Sequence, residues 1–513
     1  MTARKLLIGL ATLSMAVLPA YAAPTGHTCA PAAHPGGEWP TAGGNIANHR
    51  NQPAETVLNA GTVGNVAKAW VFDTAGAGTL QNTPVVADGC VFIATSTGWV
   101  IAVNADDGLP VWQTALPGNP AGSLVGGVIT GSPTVADGTV YVATSERHHP
   151  RVVALNQADG AVKWSIEVLD PAKRPGADPN KSFENTVVSA PVVWNGLLFQ
   201  GIMADEASAN ARGGYAILDL ADTPALSADP DARLIVQDWT ITDDEWDAGY
   251  SGASIWCTAA VDAATGYAYA CGGNPASKQV EARNANALLK IDMDRTRSTF
   301  GQIVDAYKGE TDQYYPGLDR QPACDEVPTT AVWSPTCAQL DLDFGASPSL
   351  FTDSIGRTLL GDLQKSGVFH AVYADNMQRA WTSIVATPGV TFNAASPAVD
   401  TVSGADGGMV FANGSPPGHM VALTKAHGRY RWVAPVGPGP TQFQPVSVAN
   451  GVAYSMNNFG DLTAVDTALG AIVMRRNIAL DTGAYAGDLS SQGVSIARNT
   501  IYAASGQFVV AYR

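Results

Sequence analysis

Eight segments of this 513-residue chain share one grammar: a small-residue opening, an apolar run, a turn containing Gly or Asn, and a second β-rich run. Openings stand at Asn82-Thr83-Pro84, Gly131-Ser132-Pro133, Ser189-Ala190-Pro191, Trp256, Ala346-Ser347-Pro348, Ala395-Ser396-Pro397, Gln444-Pro445-Val446 and Gln492-Gly493-Val494. Several continue as Ala-x5-Gly-x3-Trp, at 102–112, 154–164 and 422–432, with weaker copies at 371–381 and 464–474. Repeats of four short strands every 40 to 50 residues or so are the size of one propeller blade. The last repeat stops at Tyr512 before its Trp strand, while Lys68-Ala69-Trp70-Val71-Phe72 is a Trp strand with no repeat before it. Pairing the two leaves no open edge. The chain is therefore expected to be all-β, an eight-bladed propeller of four-stranded antiparallel blades over 68–513, preceded by an extension at 23–67. Longer spacings place insertions at about 170–185, 204–250, 275–290 and 302–343, and insertions on one face of a repeat scaffold usually build the binding site.

Composition narrows the partners. With 53 Gly and 32 Pro the chain is interrupted too often for long helices, yet 46% hydrophobic residues fill a large core. A charge of −16 offers no cationic face to nucleic acid or an anionic membrane. Arg4 and Lys5, the apolar run 6–18 and Ala20-Tyr21-Ala22 form a signal peptide over 1–22, too short to span a bilayer. The protein is thus expected in the periplasm or secreted, at −18 after cleavage, with no membrane span in the mature chain. An oxidising compartment makes six cysteines worth pairing. Cys257 and Cys271 are equidistant from Ala264 at a turn centre, which pairs them across a hairpin. Cys324 and Cys337 share one Pro-rich insertion, leaving Cys29 with Cys90. No Cys-x-x-Cys offers zinc or a haem attachment.

The repeat resembles that of quinoprotein (pyrroloquinoline quinone, PQQ) dehydrogenases. The opening Trp39-Pro40-Thr41-Ala42-Gly43-Gly44-Asn45 with Asn48-His49-Arg50 is similar to their start, nearest the polyvinyl alcohol dehydrogenase-like branch. Four motifs in blade order carry the likeness: Ala204-Asp205-Glu206 with Arg212-Gly213-Gly214-Tyr215, Ser254-Ile255-Trp256, Gly272-Gly273-Asn274, and Gln364-Lys365-Ser366-Gly367. The resemblance implies an alcohol dehydrogenase transferring hydride to PQQ with the help of Ca²⁺. It implies Glu206, Asn274 and Asp312 at the metal, and Arg147, Ser189, Trp256, Lys365 and Asn393 at the quinone, with Arg212 a further fork for its carboxylates. Catalytic roles fall to Lys365 and to Asp312 as base, with Asp305 as the fallback. Two departures stand out. The adjacent-Cys disulfide that covers the quinone in some relatives is replaced by Ser145-Glu146-Arg147-His148-His149, where either His covers the ring or sits in a surface loop. No cytochrome domain precedes the opening, so electrons are expected to leave through a separate acceptor such as a soluble cytochrome c.

A flat tricarboxylate needs an aromatic face, fixed cations and a hard metal, and so acidic a chain must concentrate these at one place. Taken singly, each residue has a plainer reading. Glu206 is also an ordinary exposed loop acid, Trp256 core packing, Asn274 before Pro275 a turn initiator, and Lys365 turn chemistry. The rival for the whole chain is a cofactor-free propeller of the same repeat acting as a protein-binding scaffold. A polysaccharide lyase or hydrolase has no convincing carboxylate pair.

Overall fold

The computed structural model describes residues 27–29, 34–116, 131–144, 149–169, 185–204, 211–275, 283–309, 342–386, 393–400, 408–415, 417–437, 443–483 and 493–513. They form eight antiparallel sheets, at 85–115, 134–167, 185–239, 260–308, 349–384, 398–435, 447–477 and, for blade eight, 494–512 with Lys68–Asp73. The ring closes as expected. Trp70 pairs with Ala511 and Asp73 with Phe508, and Ala67 and Arg513 exchange both backbone hydrogen bonds at 2.7 and 3.0 Å.

The repeat is an interlock between blades. Across the outer strand pair Ala102 faces Trp112, Ala371 faces Trp381 and Ala422 faces Trp432, so a methyl group leaves the indole free to lean onto the next blade. There Trp70, Trp112, Trp381 and Trp432 donate Nε1–H to the carbonyls of Ala105, Gln157, Lys425 and Thr467, at 2.7–3.1 Å. Three residues beyond each carbonyl stands a glycine, Gly108, Gly160, Gly428 or Gly470, at φ between +65° and +73°. A Cβ there would fall 2.3–2.7 Å from the indole. The glycine is needed twice, for the left-handed turn and for the approach of the ring.

Blade four breaks the pattern. It carries no outer Trp, and Tyr269 Oη and Lys290 Nζ donate to the equivalent carbonyl of Ala374 at 2.8 and 2.9 Å. Met377, at φ +52°, takes the glycine position. The sequence reading placed whole insertions at 204–250 and 302–343. In the structure Gly214–Asp219 and Leu234–Trp239 are strands of blade three, and Ile303–Lys308 is the outer strand of blade four. These strands lack the Ala…Gly…Trp signature, which hid them.

Residues 36–52 close one end of the axis by pairing with the blades in turn. Trp39 bridges Val86 at 2.8 and 2.9 Å; the carbonyls of Pro40, Ile46, Ala47, His49 and Arg50 accept from Val135, Val261, Leu350, Val399 and Val448; and Arg498 donates to Gly36 and Gly37. Asn48, at φ +55°, sends its amide to Thr258 O and Pro348 O. Asn51–Gln52 ends this run as a parallel strand on blade seven. The axial channel thus has a floor.

Cys29–Cys90 and Cys257–Cys271 are bonded, at Cα separations of 5.0 and 6.0 Å. The hairpin register is one place off the symmetric expectation. Ala260 faces Tyr269, which aligns Cys271 with Thr258 rather than Cys257, because the connection after Asp262↔Tyr267 holds four residues. Cys324 and Cys337 lie outside the described residues.

Candidate active site

A cavity of about 430 Å³ sits on the axis, walled by the blade openings and reaching Arg50 of the floor. The opening hydroxyls stitch this wall together. Ser132 Oγ accepts from Thr83 N at 3.0 Å, Thr258 Oγ1 from Ala190 N at 3.1 Å, Ser347 Oγ from Thr258 N at 3.0 Å and Ser396 Oγ from Ser347 N at 2.9 Å. A small hydroxyl recurs there because each blade must satisfy a backbone N–H of its neighbour. The Arg50 guanidinium donates to Val446 O at 2.8 Å and Ala42 O at 2.7 Å, and reaches Thr83 and Ser447 at 3.4 Å.

Trp256 stands in the wall between blades four and five. Its Nε1–H donates to Asp343 Oδ2 at 3.0 Å, and Asp343 Oδ1 lies 2.7 Å from Lys365 Nζ. That ammonium is 4.6 Å from the indole centroid, a cation–π contact. Asp343 and Lys365 are buried. Two buried charges are tolerated only as a pair with their remaining bonding groups satisfied, and Lys365 N also donates to Asp343 O at 3.0 Å. Gly345 makes room for the ring, since a Cβ there would lie 2.6 Å from it.

The segment carrying Trp256 is fixed by a node of hydrogen bonds. Ala204 N donates to Ser254 Oγ at 2.9 Å, Gly273 N to Ser254 O at 2.7 Å, Ala253 N to Asn274 O at 2.7 Å and Ile255 N to Ile202 O at 3.1 Å. Three of the four motifs thus meet edge to edge. Asn185 joins them through Met203 O and Arg212 O, and its buried Oδ1 has no hydrogen-bond partner among the described residues. Glu206 lies two residues beyond Ala204, outside the described residues, as do Arg147, His148 and Asp312.

Other candidates are placed as follows. Ser189 borders the cavity and accepts from Gln200 Nε2 at 2.9 Å. Asn393, buried next to the wall residue Ala394, accepts from Ser415 N at 3.2 Å. Arg212 is not a fork for a ligand. Its guanidinium lies 5.0 and 5.4 Å from Trp239 and Trp246 and donates to Ile241 O and Asp243. Asp305 sits in the outer strand of blade four opposite Lys290, at the rim and away from the axis. His149 pairs with Glu167 at 3.1 Å on an exposed edge. The carboxylate that sequence reasoning missed is Asp343. Its signal was position: like Trp256, it shortly precedes an opening hydroxyl, and openings line the axis.

Asp362, cross-strand from His370 in blade five, gives a stability test. Burial holds its carboxyl well above the usual carboxylate range. The unfolded chain ionises near pH 4 and then binds fewer protons than the folded one, so this group costs stability as pH rises. Asp362→Asn keeps the acceptor for Leu363 N, 2.9 Å away. It is expected to raise the melting temperature at pH 8 and to change it little at pH 4.

An eight-bladed propeller with a floored axial cup, a Trp in its wall and a buried Asp and Lys pair bonded behind that indole belongs to the quinoprotein-like class of propellers. Residues 55–201 and 364–513 match the PQQ_2 family, described as outer membrane protein assembly factor BamB, and the chain belongs to that family. The dehydrogenase subunit of the quinone-type alcohol dehydrogenase of Gluconacetobacter polyoxogenes is 26% identical over 304 residues, 55% of this chain and 38% of that protein. The chain therefore matches well under half of that relative's length. Polyvinylalcohol dehydrogenase of a Pseudomonas species is 24% identical over 510 residues, 91% of this chain and 73% of that one. The crystal structure of quinohemoprotein alcohol dehydrogenase from Comamonas testosteroni superposes with a TM-score of 0.64 at 16% identity, covering 94% and 81% of the two chains. Trp256, Asn274 and Asp343 all lie in 202–363, between the two stretches that match the family.

Proposed function

We propose that the protein is an exported quinoprotein dehydrogenase that oxidises an alcohol to a carbonyl compound with PQQ and Ca²⁺. The observation that carries this reading is the Trp256 indole in the cavity wall, with the Lys365 ammonium 4.6 Å from its ring and buried Asp343 bonded to both. These residues fit a flat polyanion. The indole supplies the stacking face and Lys365 the cation, with Arg147, Ser189 and Asn393 as further contacts. The node of Ala204, Ser254 and Asn274 suits a hard cation, because Glu206 follows two residues after Ala204 and Asn185 Oδ1 is a buried oxygen beside it with no partner among the described residues. Asp312 stays a proposed ligand there. Bound at this place, PQQ supplies the two-electron acceptor for the hydride of the alcohol carbon, and Ca²⁺ supplies Lewis-acid polarisation.

The chain's own part is orientation and proton handling. Trp256 would offer its ring face to the bound quinone, and Lys365, 4.6 Å from that ring, would offer its cation. We assign the base role to Asp343, whose carboxylate receives the hydroxyl proton of the substrate. The floor of residues 36–52 confines entry to the opposite end of the axis. Electrons leave through a separate acceptor such as a soluble cytochrome c. Export through residues 1–22 is supported by the two disulfides, which persist in oxidising compartments.

The test is dye-linked oxidation of primary, secondary and polymeric alcohols by apoprotein reconstituted with PQQ and Ca²⁺. Activity is expected with both and lost on chelation, and Glu206→Ala and Asn274→Ala are expected to lose the metal-dependent part. Absence of turnover with every alcohol rejects the dehydrogenase.

A further inference from the structure

Behind the Trp256 cluster lies a buried polar chain that the reaction above does not use. Tyr307, in the outer strand of blade four, places its hydroxyl 3.1 Å from His370 Nδ1 in blade five. His370 Nε2 lies 3.1 Å from Gln364 Oε1, which also accepts from Ser366 Oγ at 2.8 Å. Gln364 and Ser366 flank Lys365. The ring of Phe344, next to Asp343, meets the imidazole edge-on at 5.2 Å and 68°, and Phe344 forms a bridge with Gln364. His370 therefore touches the neighbour of the buried carboxylate and the neighbour of the buried ammonium.

The ring's protonation follows from its partners. An amide oxygen only accepts, so Nε2 carries the proton and Nδ1 accepts from the Tyr307 hydroxyl. Burial keeps the ring neutral, with its pKa lowered to about 3. Gly309 gives the packing its space, since a Cβ there would lie 2.6 Å from the Phe344 ring and 2.7 Å from Gln364 Nε2. A residue that merely filled this volume would be apolar. An imidazole buried here is costly unless both nitrogens are matched, and matched bonds are directional.

We propose that His370 is a positioning residue: its bond to Gln364 and its contact with Phe344 set the spacing of Asp343 and Lys365, and through it the placement of the ammonium against Trp256. The consequence for cofactor binding rests on the quinone reading, whereas the geometry does not.

Two variants test it. His370→Phe keeps a planar ring and removes both hydrogen bonds, and Tyr307→Phe removes one hydroxyl only. In the apoprotein, the indole ¹⁵N–¹H resonance of Trp256, assigned through Trp256→Phe, is expected to shift in both variants and further in His370→Phe. Those of Trp70, Trp112 and Trp432 are expected to stay in place. PQQ affinity is expected to fall about tenfold in His370→Phe, the scale of one lost hydrogen bond to a charged site. Lys365→Met is expected to mask that loss, so that the double variant binds no more weakly than Lys365→Met alone. An unmoved Trp256 resonance, equal shifts at all these indoles, or additive losses in the double variant overturns the proposal. Should His370→Phe not fold, the Tyr307→Phe spectrum decides alone. Wild-type protein that takes up no PQQ removes the quinone reading, while the apoprotein spectrum still decides for His370.

Discussion

Asp343→Asn is expected to lower alcohol oxidation by about 10²- to 10⁴-fold, the usual scale for losing a positioned general base. Asn retains the shape of the side chain and an oxygen for Trp256 Nε1, now 3.0 Å from Asp343, so the indole keeps its place. It cannot take a proton, and it leaves the Lys365 ammonium, 2.7 Å away, buried without a counter-charge. Breaking a buried pair from one side costs about 3–5 kcal/mol, which urea unfolding would show. The double variant with Lys365→Met is expected to regain much of that stability, because replacing a whole buried pair by uncharged groups is often neutral. Activity is expected to stay lost. Recovery of turnover with stability would assign Asp343 to the fold alone.

The other large effect is expected at the floor. Arg50→Ala should cost about 3–5 kcal/mol, from the cavity left and from carbonyls stripped of their donors. Arg50 reaches Val446, Ala42, Thr83 and Ser447 at once, and these belong to blade seven, the floor and the opening of blade one. Its removal takes four hydrogen bonds at once from the place where these three parts of the ring meet. Arg475, exposed and donating to Pro435 O at 3.0 Å, is the control, and Arg475→Ala is expected to stay within about 0.5 kcal/mol. Equal effects at the two positions, measured by denaturant unfolding, would remove the floor from the stability argument.

The ring was legible because its stabilising contacts recur. The indole lock recurs at Trp70, Trp112, Trp381 and Trp432 and the interblade hydroxyl bond at Ser132, Thr258, Ser347 and Ser396, so a period of residues becomes a period of contacts. Closure followed from an orphan Trp strand at 68–72. What stayed hidden is what occurs once. Blade four replaces its lock by Tyr269 and Lys290, and blade three's outer strands carry no signature. Asp343 follows Asp341 in an insertion without a repeat signature, and its meaning lies in Trp256 and Lys365, 87 positions before it and in the next blade hairpin after it. Arg212 looked like a ligand fork because sequence does not show that Trp239, Trp246 and Asp243 already enclose it. The motif at 39–50 read as a family opening, and the structure makes it the floor.

Quinone uptake tests the whole account most directly. Titrating PQQ into the purified chain with Ca²⁺, and counting the quinone retained after gel filtration, should give one per chain in the wild type. Trp256→Ala and Lys365→Met should each retain far less while unfolding in the same cooperative transition. Unsaturable or absent retention by the wild type, or full retention by both variants, would contradict the placing of the quinone against Trp256.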